Sequence, residues 1–232
     1  MLYEPGKTNH GLPHDPFKSC VIPRPIGWIS SLSSAGVCNL APFSQFQNLG
    51  FKPPYVMFSA NEGEGGRRGR KDSVINIEST GEFVWNMATY DLREAVNLSA
   101  VDYPPEVDEF DKAGVTKSDS AMVKPPRVKE SPVHFECSYY TTLRLPGTGS
   151  DGAGAADLVV GKVLCIHIED WAITKEGYLD VLKLRPIARL GYKDYTSIES
   201  VFSMVIPGAP NLMRGLEGET AGPAPAETKA AE

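Results

Sequence analysis

The chain is predicted to be a mainly β protein, a barrel with a few appended helices. Three observations predict this. Short strand-like runs separated by Gly, Pro, Asn and Ser turns recur along most of the chain, most clearly at Val133, Phe135, Cys137, Tyr139, Thr141 and Leu143, which alternate with more polar residues. Only two modest helical stretches are legible, and they do not alternate with strands in a βαβ pattern. No G-x-G-x-x-G follows any strand, which argues against a doubly wound dinucleotide fold.

Residues 1–20 are rich in Gly, Pro and His without periodicity, and predict an arm in which His10 and His14 are surface residues. The stretch from Pro23 to Pro54 is apolar, hydroxyl-rich and almost uncharged. Ile26–Ser30 predicts a strand, Ser33–Gly36 a turn, Val37–Leu40 a second strand, and Pro42–Asn48 a loop. Such a hairpin gathers Ser30, Ser31, Asn39, Ser44 and Asn48 beside Trp28, Phe43 and Phe46, a surface suited to a polar-edged aromatic ligand. The same residues also fit an ordinary hairpin with aromatics in a core.

Tyr55–Ser59 is a short apolar run that predicts a strand covered on both faces. The glycine-rich loop Asn61–Ser73 concentrates Arg67, Arg68, Arg70 and Lys71 just before a helix that Asp72 or Ser73 caps, that Val74, Ile75 and Ile77 anchor, and that Thr80-Gly81 ends. A cationic loop at a helix N-terminus suits a phosphate, and equally suits a solvated loop. Glu82–Ala88 follows as a strand. Asp91 with Glu94 predicts a capping box, and Tyr103–Ser120 a surface insertion with one helical turn.

The glycine-rich Pro146–Gly154 lacks the Lys and Ser/Thr of a phosphate-binding loop and is assigned no chemistry. In the next strand, Leu158–Ile168, His167 lies opposite the most apolar face, which fits a core histidine but also one at a cofactor pocket or subunit interface. The Ala-, Pro- and Glu-rich end predicts a disordered tail, giving an arm at 1–20, a domain at 21–210 and a tail at 211–232.

Of 232 residues, 41% are hydrophobic and 22% charged, the balance of a globular protein with a real core. With 23 basic against 29 acidic residues, the net charge of -6 argues against nucleic-acid or anionic-membrane partners. The N-terminus lacks the basic start and apolar core of a signal peptide, and no run is long enough to span a bilayer, which predicts a cytoplasmic protein. Cys20, Cys38, Cys137 and Cys165 are widely spaced, so reduced and mostly buried thiols are expected, with no metal or disulfide framework.

Five ordered motifs carry a family resemblance, RPIGWISS at 24–31, NLAPFSQF at 39–46, KPP at 52–54, RKDS at 70–73 and NIESTGEFVWNMA at 76–88, and it extends through KLRPIARLGYKDYTSIESVFSM at 183–204. The chain resembles the flavin reductase-like family, in its flavoredoxin branch. That resemblance implies an FMN-binding split β-barrel, antiparallel and of Greek-key type. It also implies a homodimer, electron transfer from NADH or NADPH to flavin, and in some members a partner monooxygenase; FAD is the other flavin to consider. Carried over, it implies that Ser30, Ser31, Arg70, Lys71 and Ser73 hold the flavin phosphate and that Ser44, Phe46 and Asn48 border the ring. Backbone groups from Asn39 through Ala41 to Ser44 would meet the pyrimidine edge. No acid–base residue is required, since hydride passes directly between stacked rings. The sequence departs where related reductases have a histidine before the strand at 161–168; here it reads Asp157-Leu158. A non-enzymatic flavin-binding electron carrier is the alternative function.

Overall fold

The computed structural model describes residues 1–62, 69–148 and 154–204. Arg67 and Arg68, residues 149–153 of the glycine-rich linker and the 211–232 tail lie outside the described residues. Residues 1–199 form one compact unit; of a second, 200–232, the five described residues have no regular structure.

The strands are β1 (Arg24–Pro25), β2 (Gly27–Leu32), β3 (Cys38–Phe43), β4 (Phe46–Phe51), β5 (Pro54–Asn61), β6 (Glu82–Asn86), β7 (Lys117–Ser118), β8 (Arg127–Val128), β9 (Val133–Leu145), β10 (Ala156–Ile168), β11 (Ile187–Gly191) and β12 (Asp194–Ser197). The helices are α1 (Phe17–Cys20), α2 (Asp72–Thr80), α3 (Arg93–Leu98), α4 (Glu109–Ala113) and α5 (Val181–Leu184). Seven strands form one antiparallel sheet in the order β3-β2-β6-β9-β10-β5-β4. Its two edge strands, β3 and β4, are consecutive in the chain and joined only by Ser44-Gln45. Three peptide units reach about 11 Å at most, so the sheet curls until its edges approach. The Ser59 N–H bonds the Gln45 carbonyl at 2.8 Å, extending the β4–β5 ladder into the connection. This is the split-barrel architecture, with β1-β11-β12 as a separate three-stranded sheet.

β2 is buried on both faces, and its alternation divides the interior in two. Ile29 faces a larger core with Phe58, Phe83, Val74 and Ile77, while Trp28 faces a smaller one with Leu40, Val96, Phe110 and Ile187. Trp28, Phe58, Phe83 and Phe110 are fully buried, and each such side chain contributes about 1.5–3 kcal/mol by leaving water. Gly161 lies at a register shift between β9 and β10. A Cβ there would stand 2.3 Å from the Phe83 ring, so the absent side chain is the space Phe83 fills.

Several expectations are corrected. The segment after Pro42 is a bend and then strand β4, because Phe46 is buried opposite Phe58 and pairing with β5 overrides turn-prone local composition. β5 alternates between buried and half-buried residues rather than being covered on both faces. Helix α2 is preceded by Lys71 at its N-cap, with no side-chain cap from Asp72 or Ser73, and Ile75 is exposed; Gly81, left-handed at φ 78°, ends it as predicted. No capping box opens α3, which starts after Leu92. The 103–120 segment is not merely a surface insertion. Phe110 is fully buried, and the acidic run conceals the apolar positions that anchor α4. Of the cysteines only Cys137 is buried.

Candidate functional site

The hairpin β2–β3 and the start of α2 meet, as the sequence led us to expect. Asn39, on β3 opposite Ser31, is the hub. Its Oδ1 accepts hydrogen bonds from Ser73 Oγ at 2.6 Å and Ser31 Oγ at 3.2 Å, and its Nδ2 donates to Glu109 Oε1 at 2.8 Å. Glu109 Oε2 accepts the Leu40 N–H at 3.2 Å. Burial raises the Glu109 pKa, against the pull of these hydrogen bonds, and Asp72 raises it further. A cavity of about 100 Å³ opens beside this cluster, lined among others by Asn39, Ala41, Phe43, Lys71 and Ser73. Its size suits a phosphate-sized group. Lys71 and an uncapped helix N-terminus supply donors, the Ser73 hydroxyl hydrogen being given to Asn39, whereas Asp72, Asp102 and Glu109 also line it and Lys71 Nζ lies 3.5 Å from Asp102.

Of the ten expected residues, Ser31, Asn39, Ala41, Lys71 and Ser73 are brought together here. Ser30 points to the other face of β2, where its Oγ donates to the Pro126 carbonyl at 2.6 Å. Arg70, expected at the phosphate, is committed elsewhere. Its NH1 and NH2 donate to both Glu78 oxygens, at 2.7 and 2.6 Å, and its Nε donates to Asp157 at 2.8 Å. Glu78 first and Asp157 second hold its pKa above the ordinary arginine value, and Arg70 in turn holds Glu78 below the usual carboxylate range. Phe46 does not border this cavity; it is buried and stacked on Trp85 at 5.4 Å, an approach made possible by Gly27, whose Cβ would meet Phe46 at 2.8 Å. Asn48 is exposed and accepts a hydrogen bond from Gln47.

Ser44 lines a second, larger cavity of about 570 Å³, while its neighbour Phe43 lines the first. Arg24, Arg189, Lys18, His14 and Tyr192 also line it. His14 is exposed, as expected, and with Pro13, Asp15, Lys18 and Ser19 of the arm it forms a wall of this cavity. Sequence reasoning missed Glu109, hidden in an acidic run, and the two arginines. A charged residue inside the otherwise apolar RPIGW and PIARL runs was their signal.

Asp157, which stands at the departure from the reductase pattern, is 1% exposed and held by Arg70 and Arg144, so it serves the fold. His167 is half-buried and bonds Glu136, with Cys165 Sγ 3.5 Å from the same nitrogen. These three groups place ligand-type atoms within 4.8 Å of one another. Both Glu136 oxygens, however, already accept N–H groups from Ala121 and Met122 at 2.8 and 2.6 Å, so the group forms a satisfied polar network. Burial opposes the charge on Glu136, but those N–H groups and His167 together hold its pKa below the usual value. Among the described residues no helix is long and apolar enough to cross a membrane.

The Flavin reductase like domain model matches residues 19–180. An uncharacterized protein of Aquifex aeolicus is 38% identical over 175 residues, covering 75% of this chain and 84% of its own. The crystal structure of nitrilotriacetate monooxygenase component B from Bacillus cereus superposes with a TM-score of 0.78 at 28% identity, over 88% of this chain and 98% of that one. Flavoredoxin of Desulfovibrio vulgaris shares the fold, with a TM-score of 0.69 at 13% identity over 88% and 99% of the two chains. A split barrel whose edges meet at Ser44-Gln45, a donor cluster around Asn39 and a match spanning most of the barrel identify the chain as a member of the flavin reductase-like family.

Proposed function

We propose that this protein is an FMN-dependent oxidoreductase that takes electrons from NADH or NADPH and passes them to free flavin for a partner monooxygenase, or to another small acceptor. The observation that carries the reading is the meeting of hairpin and helix start through Asn39 and Ser73, which puts Lys71 and Ser73 beside a phosphate-sized cavity. The similarity to a monooxygenase component B supports the partner. Bound flavin supplies the two-electron chemistry. The chain's own part would be to hold the phosphate with Lys71 and the start of α2, which Ser73 fixes to Asn39, to offer backbone groups along β3, and to keep water off the stacked rings with Phe43 and the arm.

FMN is the favoured flavin because the donor cluster fits one phosphate; FAD is the other flavin that the released cofactor would reveal. A homodimer is supported by Leu164, Ile166 and Ile168, a stripe on β10 that is 37%, 51% and 38% exposed. The cytoplasmic assignment rests on the sequence signals above. Asp157, standing where reductases have a histidine and locked between two arginines, favours one alternative, a flavin-binding electron carrier of the flavoredoxin type that exchanges electrons with a protein rather than a nicotinamide.

Anaerobic stopped-flow mixing of the FMN-loaded protein with NADH and with NADPH separates the two. Bleaching of the flavin absorbance is expected; a flavin that stays oxidised with both nicotinamides removes the reductase reading in favour of the carrier.

A further inference from the structure

Two arginines face each other without a carboxylate partner. Arg24 on β1 and Arg189 on β11 are directly paired across the strands, an arrangement of like charges that costs stability unless something offsets it. Arg24 is only 9% exposed, yet among the described residues neither side chain forms an ion pair. The Arg24 NH1 donates to the Lys18 and Val21 carbonyls, and its Nε is buried with no hydrogen-bond partner. Arg189 donates to the Tyr192 carbonyl and the Tyr195 hydroxyl, and its guanidinium lies 4.5 Å over the Tyr195 ring. Burial first, and Arg189 second, pull the Arg24 pKa below the ordinary arginine value. Both arginines line the larger cavity, with Lys18 and a single carboxylate, Asp15.

A buried charge left without its counter-ion is expensive, and a planar guanidinium pair matches the geometry of a phosphate or carboxylate. The volume of about 570 Å³ lies in the range of small-molecule sites, about 300–1,000 Å³. The cavity and the Asn39–Lys71 site are linked along the chain: Phe43 lines that site and the next residue, Ser44, this one. We propose that Arg24 and Arg189 form an oxyanion site for a phosphate- or carboxylate-bearing small molecule. Resting on the flavin reading above, that molecule is the one that exchanges electrons with the flavin. Arg24 and Arg189 bind and orient; they move no proton. Two sources share this chemistry, the pyrophosphate bridge of a nicotinamide dinucleotide and an anionic acceptor.

The probe is inorganic pyrophosphate, titrated calorimetrically into the full-length, FMN-loaded protein and into Arg189→Gln and Arg189→Lys. Saturable binding to the wild type is expected, weakened tenfold or more by Gln and about threefold by Lys, with FMN affinity unchanged in both. Should Gln fail to fold, Lys reads the same point. No saturable pyrophosphate binding, or binding indifferent to both substitutions, overturns the site. With Arg189→Lys, a raised KM for NADH assigns the anion to the electron donor, and an unchanged KM beside weakened pyrophosphate binding assigns it to the acceptor. A protein that binds pyrophosphate through Arg189 but takes up no FMN overturns the flavin reading and leaves the anion site standing. One that binds FMN with pyrophosphate indifferent to Arg189 overturns the anion site alone.

Discussion

Ser73, in the first turn of α2, donates its hydroxyl hydrogen to Asn39 Oδ1 on β3 at 2.6 Å, although 34 residues separate them in the chain. Through Asn39 the helix start, the hairpin and the buried carboxylate of Glu109 become one rigid unit. Asn39→Ala removes three hydrogen bonds and strips Glu109 of its side-chain donor. A loss of about 2–4 kcal/mol of stability is expected, together with weaker flavin binding. Urea denaturation and flavin fluorescence titration on the same samples check both, and a variant as stable as wild type would show that the network does not stabilise the fold.

Lys71→Ala tests the phosphate end. Loss of one charge-assisted contact weakens FMN binding by about 1–3 kcal/mol, with little change in melting temperature, since Lys71 is partly exposed and its ion pair with Asp102 is at the surface. Unchanged FMN affinity removes Lys71 from the site.

Arg70 behaves oppositely. Arg70→Gln leaves Asp157, 1% exposed, to Arg144 alone and frees Glu78. Stability falls by about 1–3 kcal/mol, the buried-pair cost discounted for partial exposure, while FMN affinity in the folded protein changes less than twofold. An affinity loss as large as that of Lys71→Ala would restore Arg70 to the phosphate.

Acid weakens the fold through His134. Its ring is 1% exposed, its Nε2 lies 2.8 Å from the Val128 carbonyl and so carries the hydrogen, and its Nδ1 is buried with no partner. Protonation would bury an unpaired N–H. Burial first, and nearby Arg127 next among the opposing influences, lower the pKa from 6.5 to about 4. The folded state therefore binds fewer protons than the unfolded one. Stability from this group is complete above pH 6.5 and declines as pH falls to 4, by up to about 3 kcal/mol. Denaturation midpoints of wild type and His134→Gln between pH 7 and 4 give the comparison; the variant's curve should be flatter in that window.

Strand periodicity made β2, β9 and β10 legible, and the glycine at 81 marked the end of α2 by its left-handed conformation. Local chemistry did not reveal where long side chains find partners. Arg70 and Lys71 are neighbours in sequence, yet one turns to Glu78 and Asp157 and the other to the cavity. Phe46 sits in a motif associated with the ring, and Gly27 lets it turn inward onto Trp85. Glu109 was masked by charge composition because its burial depends on Asn39, 70 residues away. Arg24 and Arg189 share a site through a strand pairing that no local pattern encodes.

Gly161 and Phe83 occupy a single volume between them: a Cβ at 161 would stand 2.3 Å from the ring. Gly161→Ala alone should cost about 1–3 kcal/mol through overpacking. Combined with Phe83→Leu, it should cost less than the sum of the two single changes, measured as a coupling energy in a double-mutant cycle. Among relatives that keep this barrel, the two positions are thus expected to covary, a bulkier residue at 161 accompanying a smaller one at 83, so that strand β10 can drift in sequence only with the consent of strand β6.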